Sequence, residues 1–277
     1  MSAMPTGSFC WADLLPTDQS RASDFYAELA GWSVAVGGEE YGGYALAYAG
    51  PEQTPATMVG GLNPSIPAIQ AFREQAGQPA SEMFPGWTIY LATGDLDAQV
   101  AQVTSSGGQQ LMPRMDVPGM GASTLCADPT GAPFGLWQSA GHDGFGAFGE
   151  PGSFCWSEVY STDPAATRDF FVSAFGMDVK TMAETPEFTY YQLIPAGQTT
   201  PSFGVTGMPE ERKGNPSHFG AYLSIAGVDD AATRVVAKGG TIITGPQDTS
   251  YGRMATVLDS EGAPVNLVDL STATGGM

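Results

Sequence analysis

At ~150 residues per domain, a chain of 277 residues is long enough for about two domains, each with its own core. Its 42% hydrophobic and 10% aromatic content excludes intrinsic disorder, and 37 Gly with 21 Pro point to many tight turns. Ten Lys+Arg against 29 Asp+Glu give a net charge of -19, which repels polyanions, excludes a nucleic-acid partner and concentrates cationic small molecules.

Three cysteines, Cys10, Cys126 and Cys155, are too few and odd in number for a disulfide framework, so a reducing cytoplasm is expected. The N-terminus has no basic region followed by an apolar core, and no run reaches ~18 apolar residues. Neither a signal peptide nor a membrane span is therefore expected.

In chain order, Phe9 to Leu15 reads as a short strand. Asp18 then caps a helix from Gln19 to Ala30 that Gly31 stops. Strands Trp32 to Val36, Tyr44 to Ala49 and Thr57 to Leu62 follow between Gly and Pro breaks. A second pass gives strand Trp87 to Thr93, a helix from Leu96 to Ser106 ended by Gly107-Gly108, and strands Gln110 to Met112, Ala122 to Ala127 and Pro133 to Trp137.

This pattern is duplicated. Gly7-Ser8-Phe9-Cys10-Trp11 recurs as Gly152-Ser153-Phe154-Cys155-Trp156, an offset of 145 that also carries Thr17-Asp18 onto Thr162-Asp163 and Gly31 onto Gly176. Later the offset falls to 132 and then 131, aligning Asp128 and Gly131-Ala132-Pro133 with Asp259 and Gly262-Ala263-Pro264. The drop places an insertion at 63–86 in the first half, with a short helix from Ile66 to Gly77, readable as a lid or as a surface decoration. The expected organisation is α+β: four βαβββ modules, with a first domain at 1–138, a Gly-rich linker at 139–151 anchored by Phe145 and Phe148, and a second domain at 152–277.

The stretch from Asp18 to Gly31-Trp32, the helix beginning Asp95-Leu96-Asp97-Ala98 and running to Gly107-Gly108, and Asp128-Pro129-Thr130-Gly131 before a last strand together resemble the vicinal oxygen chelate superfamily. That superfamily includes glyoxalase I, extradiol dioxygenases and bleomycin-resistance proteins. The chain also resembles its two-domain actinobacterial glyoxalase-like branch. The resemblance implies tandem domains whose paired modules curl into half-open β-sheet cups that hold a ligand.

Catalytic members place a His or Gln early in a module's first strand and a Glu late in its last, converging on a divalent metal. Here the first-strand slots hold Trp11 and Trp156, with Thr88 and Gly220 or Ala221 in the second and fourth modules, and the Glu slots hold Gly135 and Asn266. With only His142 and His218 in the chain, no metal set and no cofactor are expected, and metal-dependent glyoxalase or dioxygenase chemistry is the least favoured reading.

Asp13 and Glu158 lie two residues beyond Trp11 and Trp156, so each strand offers an aromatic face with a carboxylate beside it. That combination suits a planar aromatic ligand carrying a hydroxyl or an amine. The alternative is that the tryptophans fill cores and the acids serve backbone donors. Met112, Met115 and Met120 could line a pliable wall or anchor a loop, and Tyr44, Tyr90, Tyr190, Tyr191 and Tyr222 could orient a ligand oxygen or simply favour strands. Cys10 and Cys155 point to the opposite face. The expected ligand-binding set is Trp11, Asp13, Thr88, Met112, Trp156, Glu158 and Asn266.

Two functions stay open. One is a metal-free protein that sequesters or carries a planar aromatic or cationic natural product, in antibiotic resistance or as an accessory to biosynthesis such as anthracycline-type hydroxylation, with a biosynthetic enzyme as partner. The other is a cofactor-independent isomerase, cyclase or hydrolase using Asp13, Glu158 or His218 as acid or base, with Asn266 as an oxyanion donor. Because duplication supplies the module pairs that single-domain relatives obtain by dimerising, a monomer or weak dimer is expected.

Overall fold

The computed structural model describes residues 4–75, 77, 82–185 and 187–275. The architecture is α+β, built from four βαβββ modules, the second of which carries one additional short strand. The first comprises β1 (Phe9–Leu15), α1 (Gln19–Ala30), β2 (Trp32–Val36), β3 (Ala45–Ala49) and β4 (Met58–Leu62). After the inserted helix α2 (Ile66–Gln75), the second comprises β5 (Gly86–Ala92), α3 (Leu96–Ser105), β6 (Gln109–Gln110), β7 (Met115–Val117), β8 (Gly121–Ala127) and β9 (Pro133–Ser139). The third has β10 (Phe154–Ser161), α4 (Pro164–Phe175), β11 (Asp178–Glu184), β12 (Thr189–Ile194) and β13 (Phe203–Gly207). The fourth has β14 (His218–Ser224), α5 (Val228–Ala237), β15 (Thr241–Thr249), β16 (Gly252–Leu258) and β17 (Pro264–Asp269).

The caps explain why the helices recur in register. Asp18, Asp95 and Asp163 each accept hydrogen bonds from backbone N–H groups of the first turn, satisfying donors that a helix start leaves orphaned. The fourth module departs: its cap is Gly227, and its own N–H donates to the Asp269 carboxylate at 2.8 Å. Gly31 and Gly176 close α1 and α4 in the left-handed conformation, at φ 71° and 65°.

Within modules the strands run β2-β3-β4-β1, β5-β9-β8-β6 with β7 also on β8, β11-β12-β13-β10, and β14-β17-β16-β15. In each, the first strand lies parallel to the last, as β1 with β4 and β10 with β13, while the remaining neighbours are antiparallel. The outermost strands β2, β6, β11 and β15 end their sheets, so the sheets are open.

The chain divides into two compact units, each taking one module from each sequence half. Residues 1–11, 88–144 and 156–220 form one, and residues 12–87, 145–155 and 221–277 the other. In the first unit α3 packs on α4, with the buried Gln99 amide donating to the Ala174 carbonyl at 2.7 Å. There Phe134 lies within 6.3 Å of the Phe170, Phe171, Phe175 and Phe219 rings. In the second unit α1 packs on α5 around Tyr26, whose ring stacks on Trp32 at 4.8 Å. The Trp87 indole donates to the Tyr26 hydroxyl, and Tyr26 donates to the Asp259 carboxylate, both at 3.0 Å.

Several boundaries differ from the sequence reading for local reasons. Residues Pro55–Thr57 form a short 3-10 turn, so β4 begins at Met58. The strand expected at Gln110 to Met112 stops at Gln110, and the Gly/Pro-broken stretch after it contains β7, because Met115–Val117 pair with Gly121–Ser123 at the start of β8. His218, expected just before a strand, is the first residue of β14. In the insertion 63–86, α2 buries Ile66 and leaves Phe72 in solvent; residues 76 and 78–81 lie outside the described ones. In the Gly-rich segment Phe145 packs on Phe154, and the Gly146 and Ala147 amides donate to the Met58 carbonyl.

Candidate functional site

In the first unit, the strand register places Trp156, Glu158 and Tyr160 of β10 on one sheet face with Gly204 and Thr206 of β13 and Tyr190 and Gln192 of β12. Trp156 and Glu158 are half-buried, whereas Cys155, Ser157 and Val159 on the opposite face are buried. Tyr190 crosses diagonally over Gly204 and donates its hydroxyl proton to Glu158 Oε1 at 2.7 Å. The Trp156 indole N–H donates in turn to the Tyr190 oxygen at 3.2 Å. Gly204 is needed for this crossing, since a Cβ there would sit 2.6 Å from the Tyr190 hydroxyl and 3.1 Å from Glu158 Cγ.

The aromatic surface continues at both ends of the face. Phe188, 56% exposed, stacks on Tyr190 with ring centroids 6.2 Å apart and planes 7° from parallel. Tyr160 stacks on His218 at 5.4 Å and carries the Arg212 guanidinium over its ring at 5.0 Å. His218 Nδ1 lies 2.9 Å from the Pro216 carbonyl, which fixes that nitrogen as the protonated one in a neutral ring. Burial holds the His218 pKa below its ordinary value, with Arg212 adding to the effect and the Pro216 hydrogen bond opposing it.

The second unit repeats the acid–tyrosine arrangement. Asp13 on β1 pairs in register with Gly61 on β4, and the Tyr44 hydroxyl donates to the Asp13 carboxylate across that glycine. A Cβ at Gly61 would fall on the Tyr44 hydroxyl. This copy is more closed, with Asp13 only 6% exposed.

The other expected residues scatter. Trp11 is buried, and His142 meets its ring edge-on at 4.4 Å. His142 Nε2 is buried without a hydrogen-bond partner among the described residues, and burial lowers its pKa against the opposing charge of Asp143. Thr88 is half-buried on β5, and Met112 is 46% exposed beyond the end of β6. Asn266 is committed to structure: its amide donates to the Ala221 carbonyl and accepts from the Thr256 hydroxyl at 2.7 Å. Cys10 and Cys155 donate weakly to the Tyr90 and Tyr222 carbonyls, and burial pushes the Cys155 thiol up to about 12, far from a nucleophilic thiolate.

The donor set does not fit the divalent metal that the family resemblance implies for catalytic members. At Gly135, one of the Glu slots, a Cβ would lie 2.1 Å from the Tyr90 ring, so the aromatic occupies the space a carboxylate would need. Among the described residues, no group of three or more His, Cys, Asp or Glu side chains is placed to hold a metal ion. Also among the described residues, no helix is long and apolar enough to cross a membrane.

The glycines and the acid–tyrosine pairing are what the sequence reading missed. The sequence offers Tyr44 and Tyr190 as orienters of a ligand oxygen or as plain strand residues, not as partners of the acids, although they recur at nearly the duplication offset, as do Gly61 and Gly204.

Residues 154–267 match the model of the Glyoxalase/Bleomycin resistance protein/Dioxygenase superfamily, and residues 12–137 match that of a glyoxalase-like domain. Among curated proteins, the chain is 33% identical over 255 residues to the "Putative glyoxylase CFP32" of Mycobacterium tuberculosis, covering 91% of each chain. The chain belongs to the glyoxalase/bleomycin resistance protein/dioxygenase superfamily. Within that superfamily it is also 30% identical over 275 residues to the "Anthracycline biosynthesis protein DnrV" of Streptomyces peucetius, covering 98% of this chain and 96% of that one. In fold it is similar to the Mn(II)-bound glyoxalase from Novosphingobium aromaticivorans, with a TM-score of 0.63 and 17% identity, over 96% of this chain and 83% of that one. The α+β modules are thus those of tandem glyoxalase-like domains with open sheets.

Proposed function

We propose that this protein binds a planar aromatic natural product without a metal and carries or sequesters it, as an accessory to antibiotic biosynthesis or resistance. The observation that carries this reading is the half-buried face on which Trp156, Tyr190 and Phe188 offer aromatic surface beside the Glu158 carboxylate. Such a face fits a flat polycyclic ligand by stacking on the indole, with a polar substituent at the acid. The similarity to an anthracycline biosynthesis protein along nearly the whole chain supports a polycyclic aromatic as the ligand class. Trp156 and Glu158 are the binding residues in this reading, and Trp11, Asp13, Thr88 and Met112 are secondary. Asn266 is set aside because both ends of its amide are already engaged.

The competing reading, a cofactor-independent tailoring enzyme, draws on His218, whose Nε2 is left as the proton acceptor by the Nδ1 contact to Pro216. Native mass spectrometry after incubation with anthracyclines and other planar aromatics separates the two. A stoichiometric complex at the mass of one chain, releasing its ligand unchanged in mass and chromatographic retention, is the expected result. Release of an altered compound would make the protein an enzyme, and no complex with any compound would refute the binding reading.

A further inference from the structure

Gln192 on β12 lies in one row with Gly204 and Glu158, because both Gln192 and Glu158 are in register with Gly204. Its chain neighbours Tyr191 and Leu193 are buried in the core, so alternation puts Gln192 on the face that carries Trp156, Glu158 and Tyr190. The residue is only 7% exposed. Among the described residues its side-chain amide has no hydrogen-bond partner, yet the polar atoms are not sealed from solvent, so the amide opens onto the face. Neighbouring polar groups there are engaged within the protein. The Thr206 hydroxyl donates to the Thr189 carbonyl at 3.1 Å, Tyr190 donates to Glu158, and Trp156 donates to Tyr190.

The duplication shows that the fold does not require this amide. The first half keeps the acid, the glycine and the tyrosine of the element as Asp13, Gly61 and Tyr44, but there Leu46 is the residue in register with the glycine. A primary amide carries a donor and an acceptor side by side on one planar group. A flat ligand lying on the face takes that amide out of water, and a ligand that leaves either end unpaired loses affinity. We infer that Gln192 is the specificity-determining residue of this face, pairing its amide with an aromatic compound whose rim carries a hydrogen-bond donor beside an acceptor, as in a lactam or a hydroxyl next to a carbonyl. The inference rests on the aromatic-ligand reading above and adds to it the pattern of polar groups that the ligand must bring.

The test is equilibrium dialysis of the full chain at neutral pH against phenanthridinone, N-methylphenanthridinone and phenanthridine. The first presents N–H and C=O together on a flat tricyclic frame. The second lacks the donor, and the third keeps only a ring-nitrogen acceptor and adds no bulk. Phenanthridinone should bind at least ~10-fold tighter than either of the others. In Gln192→Leu, which gives the position the side chain found at Leu46 and is checked for folding by circular dichroism, that preference should fall to within about twofold. A preference that survives Gln192→Leu would overturn the assignment to Gln192. The wild-type series alone is also decisive: affinities for the three compounds within about twofold of one another overturn the inference but leave aromatic binding standing. Failure of all three to bind overturns both.

Discussion

The Tyr190 hydroxyl reaches Glu158 at 2.7 Å by passing over Gly204, the one residue between them on the sheet that has no side chain. Both partners sit on strands whose other face is core, so the pair is held by register and not by loop conformation. Gly204→Ala places a Cβ 2.6 Å from the hydroxyl, and the pair must separate. The expected cost is about 1–3 kcal/mol of stability together with loss of ligand affinity. Gly204→Ala/Tyr190→Phe removes the hydroxyl and leaves the ring Cζ 2.9 Å from the new Cβ, so it should recover part of the stability but not the binding, and a double-mutant cycle in urea measures that coupling.

Tyr26 links two buried groups, accepting from Trp87 and donating to Asp259. Tyr26→Phe strands an indole N–H and a carboxylate oxygen, each with a desolvation cost of about 1–3 kcal/mol. Chemical denaturation of Tyr26→Phe should show a loss in at least that range; a loss below about 0.5 kcal/mol would mean that the relay is not closed in solution.

Ser157 shows the opposite case. Its hydroxyl is fully buried in β10 without a hydrogen-bond partner among the described residues, whereas the first half has Ala12 at the corresponding position. Ser157→Ala removes an unsatisfied polar atom and should leave stability unchanged or raise it by about 1 kcal/mol. A clear destabilisation in the same assay would contradict this.

Burial lowers the folded pKa of both His142 and His218, so each contributes stability that is present above the unfolded value of about 6.5 and is lost as pH falls through the folded value. Asp259 works in the other direction: burial raises its pKa, so its contribution is full below about 3.9 and declines as pH rises through the folded value. Comparing wild type with His218→Gln isolates the histidine. The urea midpoint of wild type should fall more steeply than that of the variant between about pH 7.5 and 5, and parallel profiles would show that His218 titrates normally.

Local signals were legible wherever one residue decides a boundary. Asp18 and Gly31 bracket α1 as read, because a capping carboxylate and a left-handed glycine act on their own backbone. The duplicated Gly-Ser-Phe-Cys-Trp segment likewise gave four βαβββ modules in order, and that reading extended to the family. Relationships that depend on register were not legible. That Gly61 and Gly204 lie under tyrosine hydroxyls follows from parallel pairing with β1 and β10, dozens of residues away. The strand Met115–Val117 was hidden because its pairing with Gly121–Ser123 determines it and its own Met-Asp-Val carries little strand pattern. The assignment of one module from each half to each compact unit rests on contacts such as α3 with α4, which no local pattern encodes.

The most direct test of the central claim is calorimetric titration of wild type and Trp156→Leu with one anthracycline, folding being checked by circular dichroism. The account predicts saturable binding by wild type and a loss of affinity of about tenfold or more in the variant, because the stacking surface beside Glu158 is gone. Equal affinity of the two proteins would contradict the placement of the ligand on the β10 face.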